Sequence, residues 1–185
     1  VSWHFANWAI HFPVKAELYL PKSWTDDHAR LKSVGTPERR FKFQEKWRIA
    51  LDLLDHIREQ KNLSIQTILC DAGYGEIKEF LRELSTRDLH FIAQIPESHC
   101  FWPENIPLQN DQKQTGRPRK YPEVADHNLR PLSALNWAKN LSKTPQVWKK
   151  IRLPLQKQKT VIATAVRVKE VITQAYFRPG FDAWL

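Results

Sequence analysis

The hydrophobic pattern at the start of the chain predicts a β-hairpin. Residues 3–12 and 14–20 are rich in aromatic and branched side chains, which favour strands, and Pro13 separates the two runs. We expect the turn near Pro13, because proline interrupts the hydrogen bonding of a strand. Residues 22–44 are mostly charged and predict an excursion with one short helix.

The next segment predicts a helix, a strand, a helix and a strand in succession. Apolar side chains recur at helical spacing over residues 45–60 and 76–87, and short apolar runs typical of buried strands occupy residues 65–70 and 90–95. A strand, helix and strand in this order form a right-handed crossover, which requires a parallel pair. With the hairpin, this predicts an α/β fold with a mixed sheet and helices on its faces.

The pattern changes after residue 95. Residues 96–131 hold six of the twelve prolines and the basic run 116–120, and they predict a long connection. A short helix is expected after that connection, over residues 132–141, followed by strands at 147–153, 160–168 and 171–177. The predicted organisation is a core at residues 1–95, a proline-rich basic connection at 96–131, and an insertion region at 132–185 that returns toward the core.

Composition narrows the functional classes. Of the 185 residues, 42% are hydrophobic, and they include eight tryptophans and nine phenylalanines, which excludes a disordered chain. The formal net charge of +9 favours an acidic partner such as DNA. No apolar run is long enough for a membrane helix, so no membrane partner is expected. Two distant cysteines fit neither a disulfide scaffold nor a four-ligand zinc site, and a reducing cytoplasm is expected. The lack of methionine predicts a piece of a longer protein or an interrupted gene.

The sharpest local feature is the run Asp71-Ala72-Gly73-Tyr74-Gly75 after a predicted buried strand. In open α/β sheets, ligands bind outside the carboxyl ends of the strands, and carboxylate oxygens suit Mg²⁺ or Mn²⁺. Asp71 is therefore a candidate metal ligand. The alternative is that Asp71 only caps the helix that follows it.

These residues belong to a larger resemblance. The run from Ala16 to Trp24, AELYLPKSW, is followed by Asp27 and Arg30, by a helix with Lys46 and Ala50, and then by DAGYG at residues 71–75. This combination resembles the middle of a DDE-type insertion-sequence transposase, a DDE superfamily endonuclease. The final FDAWL resembles the strand that leads toward the last catalytic segment. The resemblance is good over residues 10–95 and looser beyond them.

The resemblance implies an incomplete ribonuclease-H-like mixed sheet with flanking helices and a basic, β-rich insertion. Three carboxylates in that fold hold two divalent metal ions, and Asp71 matches the second of them. The first would precede Val1 and the third would follow Leu185. The implied cofactor of the complete enzyme is Mg²⁺ or Mn²⁺, and the implied activity is DNA cleavage and joining at transposon ends.

Basic residues form the second candidate site. We expect Arg117, Arg119 and Lys120 on a proline-stiffened loop, and Lys149 and Lys150 beyond it, to contact DNA phosphates. The alternative for the loop is a solvated linker. Trp137 and Trp148 are candidates for stacking on bases, although tryptophans more often fill cores.

Three hypotheses follow, and one of them is that the chain is an unrelated α/β protein in which Asp71 is only structural. The other two concern transposition. The chain is a transposase fragment that is inactive alone because it holds one of three catalytic carboxylates, or a non-catalytic DNA-binding remnant. Either would act in DNA transposition and recombination in the bacterial cytoplasm, at the nucleoid. Self-association and association with full-length transposase both remain open.

Overall fold

The computed structural model describes residues 1–7, 9–65, 67–109, 121–140, 143, 145–154, 160–172 and 178–185. The chain is mixed α/β, as predicted, and forms two compact units, Val1–Ile95 and Pro96–Leu185. The elements of the first unit are, in chain order, β1 (Ser2–Ala6), β2 (His11–Ala16), α1 (Lys22–Thr25), α2 (His28–Ser33), a 3-10 turn (Glu38–Arg40), α3 (Lys46–Glu59), β3 (Thr67–Cys70), α4 (Ala72–Gly75), α5 (Lys78–Thr86) and β4 (His90–Ala93).

The predicted hairpin is present, but its turn is not where the sequence placed it. Strands β1 and β2 pair antiparallel, and the chain reverses between Asn7 and Ile10. The Asn7 Oδ1 atom accepts hydrogen bonds from the backbone N–H groups of Ala9 (2.8 Å) and Ile10 (2.9 Å), and this side chain mimics a backbone turn. Pro13 lies within β2 opposite His4, beside an irregularity in the register. The prediction of a turn at Pro13 is wrong, because proline is tolerated at such an irregular position.

The prediction of a parallel pair is confirmed. Strands β3 and β4 are parallel, with Leu69 opposite Ile92. Among the residues described in the first unit, the hairpin and the parallel pair are two separate two-stranded sheets rather than one mixed sheet.

One hydrophobic cluster joins the parallel pair to the helices. Its buried members are Ala50, Leu51, Leu54, Ile68, Phe80 and Leu84, and Trp3 of β1 packs against it. The Trp3 Nε1 atom donates a hydrogen bond of 2.8 Å to the carbonyl of Ala50 in α3. Full burial of a leucine or phenylalanine contributes roughly 1.5–3 kcal/mol, so this cluster fixes the hairpin and the parallel pair on the same helix.

An arginine joins the two long helices at their surface. The Arg87 guanidinium, just after α5, donates hydrogen bonds to both carboxylate oxygens of Asp55 in α3 and to Glu83. The hydrogen bond to Asp55 is the largest cause of a raised pKa of Arg87, and the hydrogen bond to Glu83 raises it further. The bidentate geometry sets the angle between the helices as well as their distance.

The other face of the parallel pair is apolar and uncovered among the described residues. Leu69 is 72% exposed and its cross-strand neighbour Ile92 is 66% exposed. Parallel strands in proteins are usually covered on both faces, so this pair is an exception.

The second unit is built on an antiparallel sheet. Its elements are β5 (Cys100–Pro103), β6 (Leu132–Ser133), α6 (Ala134–Lys139), a 3-10 turn (Pro145–Val147), β7 (Trp148–Pro154), β8 (Thr160–Ile172) and β9 (Arg178–Trp184). The strand order is β6-β5-β8-β7, and β9 also pairs with β8. Buried Trp102 and Val171 belong to one cluster, and buried Trp137, Val166 and Val168 to another.

Two predictions about this unit fail. Residues 160–168 and 171–177 are not separate strands, because β8 runs without a break to Ile172; residues 173–177 lie outside the described part of the chain. The polar residue Lys169 is accommodated within β8 by an ion pair with Asp182 of β9. Strand β5 also lies inside the segment predicted as a connection. No helix among the residues that the structure describes is long and apolar enough to cross a bilayer.

Candidate functional site

Asp71 lies at the carboxyl end of β3, as the sequence predicts. It is the N-cap residue of the short helix α4, and its side chain is exposed to solvent. The two interpretations of this residue are therefore compatible, since the same carboxylate caps a helix and faces outward.

The capping bond uses only one of the two carboxylate oxygens. Asp71 Oδ1 accepts a hydrogen bond of 3.2 Å from the backbone N–H of Tyr74. Within the described part of the chain, Oδ2 has no hydrogen-bond partner. Because a carboxylate has about four lone-pair sites, Asp71 keeps the capacity to bind a cation while it caps α4.

Glycine at position 75 is required by a close contact. A Cβ atom built on Gly75 would lie 1.8 Å from the carbonyl oxygen of Gln94, the residue after β4. The Gln94 N–H donates a hydrogen bond to the carbonyl of Cys70, which extends the parallel pairing. The local sequence does not identify Gln94 as the neighbour of Gly75, because the contact forms only when the ends of β3 and β4 lie side by side.

Gly73 has more room than Gly75. A Cβ atom there would lie 3.4 Å from Asp71 Oδ1, an ordinary contact distance. The two glycines of the DAGYG run therefore have different roles, and only Gly75 is fixed by packing.

The neighbours of Asp71 titrate at high pH. Burial, followed by the charge of Asp71, raises the pKa of the Cys70 thiol to about 11. Burial, followed by the charges of Asp71 and Cys70, also raises the pKa of Tyr74, whose ring packs against Phe80 at 5.2 Å between centroids. Both groups are therefore neutral at pH 7. A raised thiol pKa makes Cys70 a poor nucleophile at that pH.

Among the residues that the structure describes, Asp71 does not belong to a cluster of metal-binding side chains. No group of three or more histidine, cysteine or acidic residues that could hold a metal ion occurs within the described residues. Asp71 fits one position in the coordination shell of a hard cation, and the residues described around it do not complete that shell.

The structure describes only part of the predicted DNA-binding set. Arg117, Arg119 and Lys120 lie outside the described residues. Lys149 and Lys150 are exposed neighbours in β7, opposite Ala165 and Thr164 of β8. Successive residues of a strand point to opposite faces, so the structure does not bring these two ammonium groups together.

The two tryptophans predicted as stacking candidates pack into the core of the second unit. Trp137 is 7% exposed, and its Nε1 atom donates a hydrogen bond of 3.3 Å to the carbonyl of Phe101. Trp148 is half-buried and packs against the same cluster. Trp137 therefore does not offer a ring face for stacking on a base.

The chain also matches a known family. The family model described as DDE superfamily endonuclease matches residues 1–167, which include Asp71 and most of both units. No curated protein and no solved structure matches the chain. Because the family match covers well over half of the sequence, the chain belongs to the DDE superfamily endonucleases.

Proposed function

We propose that the chain is part of the catalytic domain of an insertion-sequence transposase with a ribonuclease-H-like fold. In this proposal Asp71 is one of its metal ligands. The observation that carries the proposal is an exposed carboxylate at the end of a parallel strand, with one oxygen left without a partner among the described residues. The family match supports the endonuclease class. The protein would act on DNA in the bacterial cytoplasm, at the nucleoid.

In the proposed reaction, the Asp71 carboxylate supplies a negative charge at a fixed position for a metal ion. Divalent metal ions such as Mg²⁺ or Mn²⁺, when bound, activate the attacking water or hydroxyl and stabilise the leaving oxygen of the phosphodiester. Asp71 would hold such an ion through Oδ2 while its bond to the Tyr74 N–H fixes the rotamer.

Binding of Mn²⁺ tests this assignment, because the ion broadens NMR signals even when it binds weakly. We expect added Mn²⁺ to broaden the amide signals of Ala72, Gly73 and Tyr74 in the wild-type chain. Asp71→Asn should abolish this broadening. The asparagine side chain can still cap α4, so the change removes the charge and leaves the helix.

Asp27 provides a matched control. It is also an exposed N-cap aspartate, whose Oδ1 accepts a hydrogen bond of 3.0 Å from the Arg30 N–H. Asp27→Asn should leave the broadening around Asp71 unchanged. Equal broadening around Asp27 and Asp71 in the wild type would show that Asp71 is an ordinary surface carboxylate, and would overturn the assignment.

The second candidate function is DNA binding without catalysis, and the net charge of +9 favours it. In this case the chain would bind duplex DNA through phosphate contacts of the basic second unit and would hold no metal at Asp71. Loss of DNA binding at high salt, without any Mn²⁺ effect at Asp71, would support this function over the first.

A further inference from the structure

Two histidines are in direct contact on the hairpin. The Nδ1 atom of His4 in β1 lies 3.1 Å from the Nε2 atom of His11 in β2, and the two rings stack with their centroids 5.0 Å apart. Both residues are exposed to solvent. They are distant from each other in sequence for a metal-binding pair on a helix, and only the chain reversal at Asn7 brings them together.

The register of the hairpin places both rings on the same face. His4 lies opposite Pro13 and His11 lies opposite Ala6, so the two histidines are diagonal neighbours across the strands. Diagonal neighbours on one face are within reach of large side chains. Trp3, the residue before His4, packs against the core, so the histidine pair lies on the face that points away from it.

The distance between the two nitrogens suits a divalent transition metal ion. Two imidazole nitrogens that each lie about 2.05 Å from a Zn²⁺ ion are about 2.9 Å apart at a right angle and about 3.35 Å apart at the tetrahedral angle. The distance of 3.1 Å between His4 Nδ1 and His11 Nε2 lies between these two values. An ion could therefore bind both nitrogens without a large movement of either strand.

Ser2 supports the ring of His4 in the form that such a site needs. The Ser2 Oγ atom lies 3.1 Å from His4 Nε2, the ring nitrogen that does not contact His11. When His4 carries its proton on Nε2, this N–H donates to Ser2 Oγ and the lone pair of Nδ1 is free to bind a metal ion. Metal-binding histidines in proteins usually donate their second ring N–H to an oxygen in this way, which fixes the tautomer and the ring orientation.

Charge and ligand type select the class of ion. Within β1 and β2, which the structure describes in full, the only lysine or arginine is Lys15, and it lies opposite Trp3 on the other face. Imidazole nitrogens suit Zn²⁺, Ni²⁺ and Cu²⁺, whereas Mg²⁺ prefers oxygen ligands. The histidine pair therefore favours a different class of ion from the one that suits the carboxylate of Asp71.

We propose that His4 and His11 bind a divalent transition metal ion such as Zn²⁺ through His4 Nδ1 and His11 Nε2. Neutral His11 then carries its proton on Nδ1, so that Nε2 offers a lone pair to the ion. Water fills the remaining coordination positions, because no third histidine, cysteine or acidic side chain joins the pair among the described residues. The bound ion ties β1 to β2 beside the turn, and this site makes no use of the proposed catalytic function.

A Zn²⁺ titration of the full chain tests the site, with the histidine ring nitrogens followed by NMR. We expect the signals of His4 Nδ1 and His11 Nε2 to move together and to give the same dissociation constant. His4→Gln and His11→Gln should each weaken Zn²⁺ binding by about tenfold or more, because strand pairing no longer supplies a second imidazole at a fixed distance. Both side chains are exposed, so the hairpin should remain folded in each variant, which the backbone amide spectrum checks.

His56→Gln is the matched control. His56 is also an exposed histidine, but its Nε2 atom lies 2.9 Å from the side-chain nitrogen of Gln60 rather than from a second imidazole. This variant should bind Zn²⁺ as tightly as the wild type does.

Three outcomes would overturn the proposal. Unchanged Zn²⁺ affinity in both His4→Gln and His11→Gln would show that the ion binds elsewhere. Movement of only one of the two ring nitrogens would show contact with a single imidazole. Loss of Zn²⁺ binding in Asp71→Asn, with binding retained in the two histidine variants, would place the ion at Asp71.

Discussion

For single residues, Asp71 and Gly75 show that the backbone after β3 is held by two specific contacts. Asp71 caps α4 through one oxygen, and Gly75 allows the end of that helix to contact the Gln94 carbonyl. The carboxylate can keep its position only if the helix it caps stays against β4. A small change at residue 75 would therefore be felt at residue 71.

Gly75→Ala should destabilise the first unit by about 1–3 kcal/mol, because a methyl group 1.8 Å from a backbone oxygen forces the chain apart. Gly73→Ala is the matched control in the same helix, where the new methyl group meets only an ordinary contact of 3.4 Å. Urea unfolding of both variants measures the difference. Equal stability of the two variants would contradict the close packing of α4 against β4.

At the scale of elements, the sequence predicts best where one periodicity dominates. Helix α3 (Lys46–Glu59) lies within the predicted residues 45–60, and the parallel pair follows from the order of strand and helix patterns. The hairpin turn could not be placed, because the side chain of Asn7 competes with Pro13 as a turn signal. The sequence predicts two strands where β8 is continuous, because its polar Lys169 interrupts the apolar run and the ion pair with Asp182 of β9 is not visible in the local pattern.

The candidate site, too, could be predicted only as far as the local sequence pattern determines it. The position of Asp71 at a strand end could be predicted from local sequence, whereas its shared use as a cap and the contact between Gly75 and Gln94 depend on tertiary structure. The DNA-binding residues were predicted from their charge, and charge does not specify which face of a strand a lysine such as Lys149 or Lys150 occupies.

The two lysines of β7 allow a test of the predicted phosphate contacts. Lys149 and Lys150 point to opposite faces, so a duplex lying on one face of β7 can contact only one of them. We expect one of Lys149→Gln and Lys150→Gln to reduce the log–log salt slope of duplex binding by about 0.9, and the other to leave it unchanged. The slope is measured by fluorescence anisotropy at several salt concentrations.

Lys22→Gln is the control for a lost charge alone, since Lys22 is exposed in α1 of the other unit. It should leave the slope as it is in the wild type. A wild-type slope near zero would exclude phosphate contacts altogether, and equal losses for Lys149→Gln and Lys150→Gln would contradict one-sided contact by β7.

For the molecule as a whole, the family match is extensive, but the described residues do not form a full set of metal ligands. The match to DDE superfamily endonucleases covers residues 1–167, yet no cluster of three metal-binding side chains occurs among the described residues. Two-metal cleavage requires several carboxylates, because Mg²⁺ gives up its water reluctantly. Within the part of the chain that the structure describes, Asp71 is therefore one proposed ligand of a site that needs more.

The chain by itself should not cut DNA. Incubation with Mn²⁺ and labelled duplex should give no nicking above a protein-free background, because one carboxylate cannot hold two metal ions. The Asp71→Asn variant is the control for a contaminating nuclease. Nicking that is present in the wild type and lost in this variant would show that the chain contains a complete active centre.

The uncovered apolar pair at Leu69 and Ile92 has a consequence for colloidal behaviour. The net charge of +9 keeps copies of the chain apart at low ionic strength, but dissolved salt screens this repulsion and leaves hydrophobic attraction in place. Salt that releases the chain from a polyanion would thus also favour its precipitation. The solubility of the protein should therefore fall as salt is added, together with the DNA affinity proposed above.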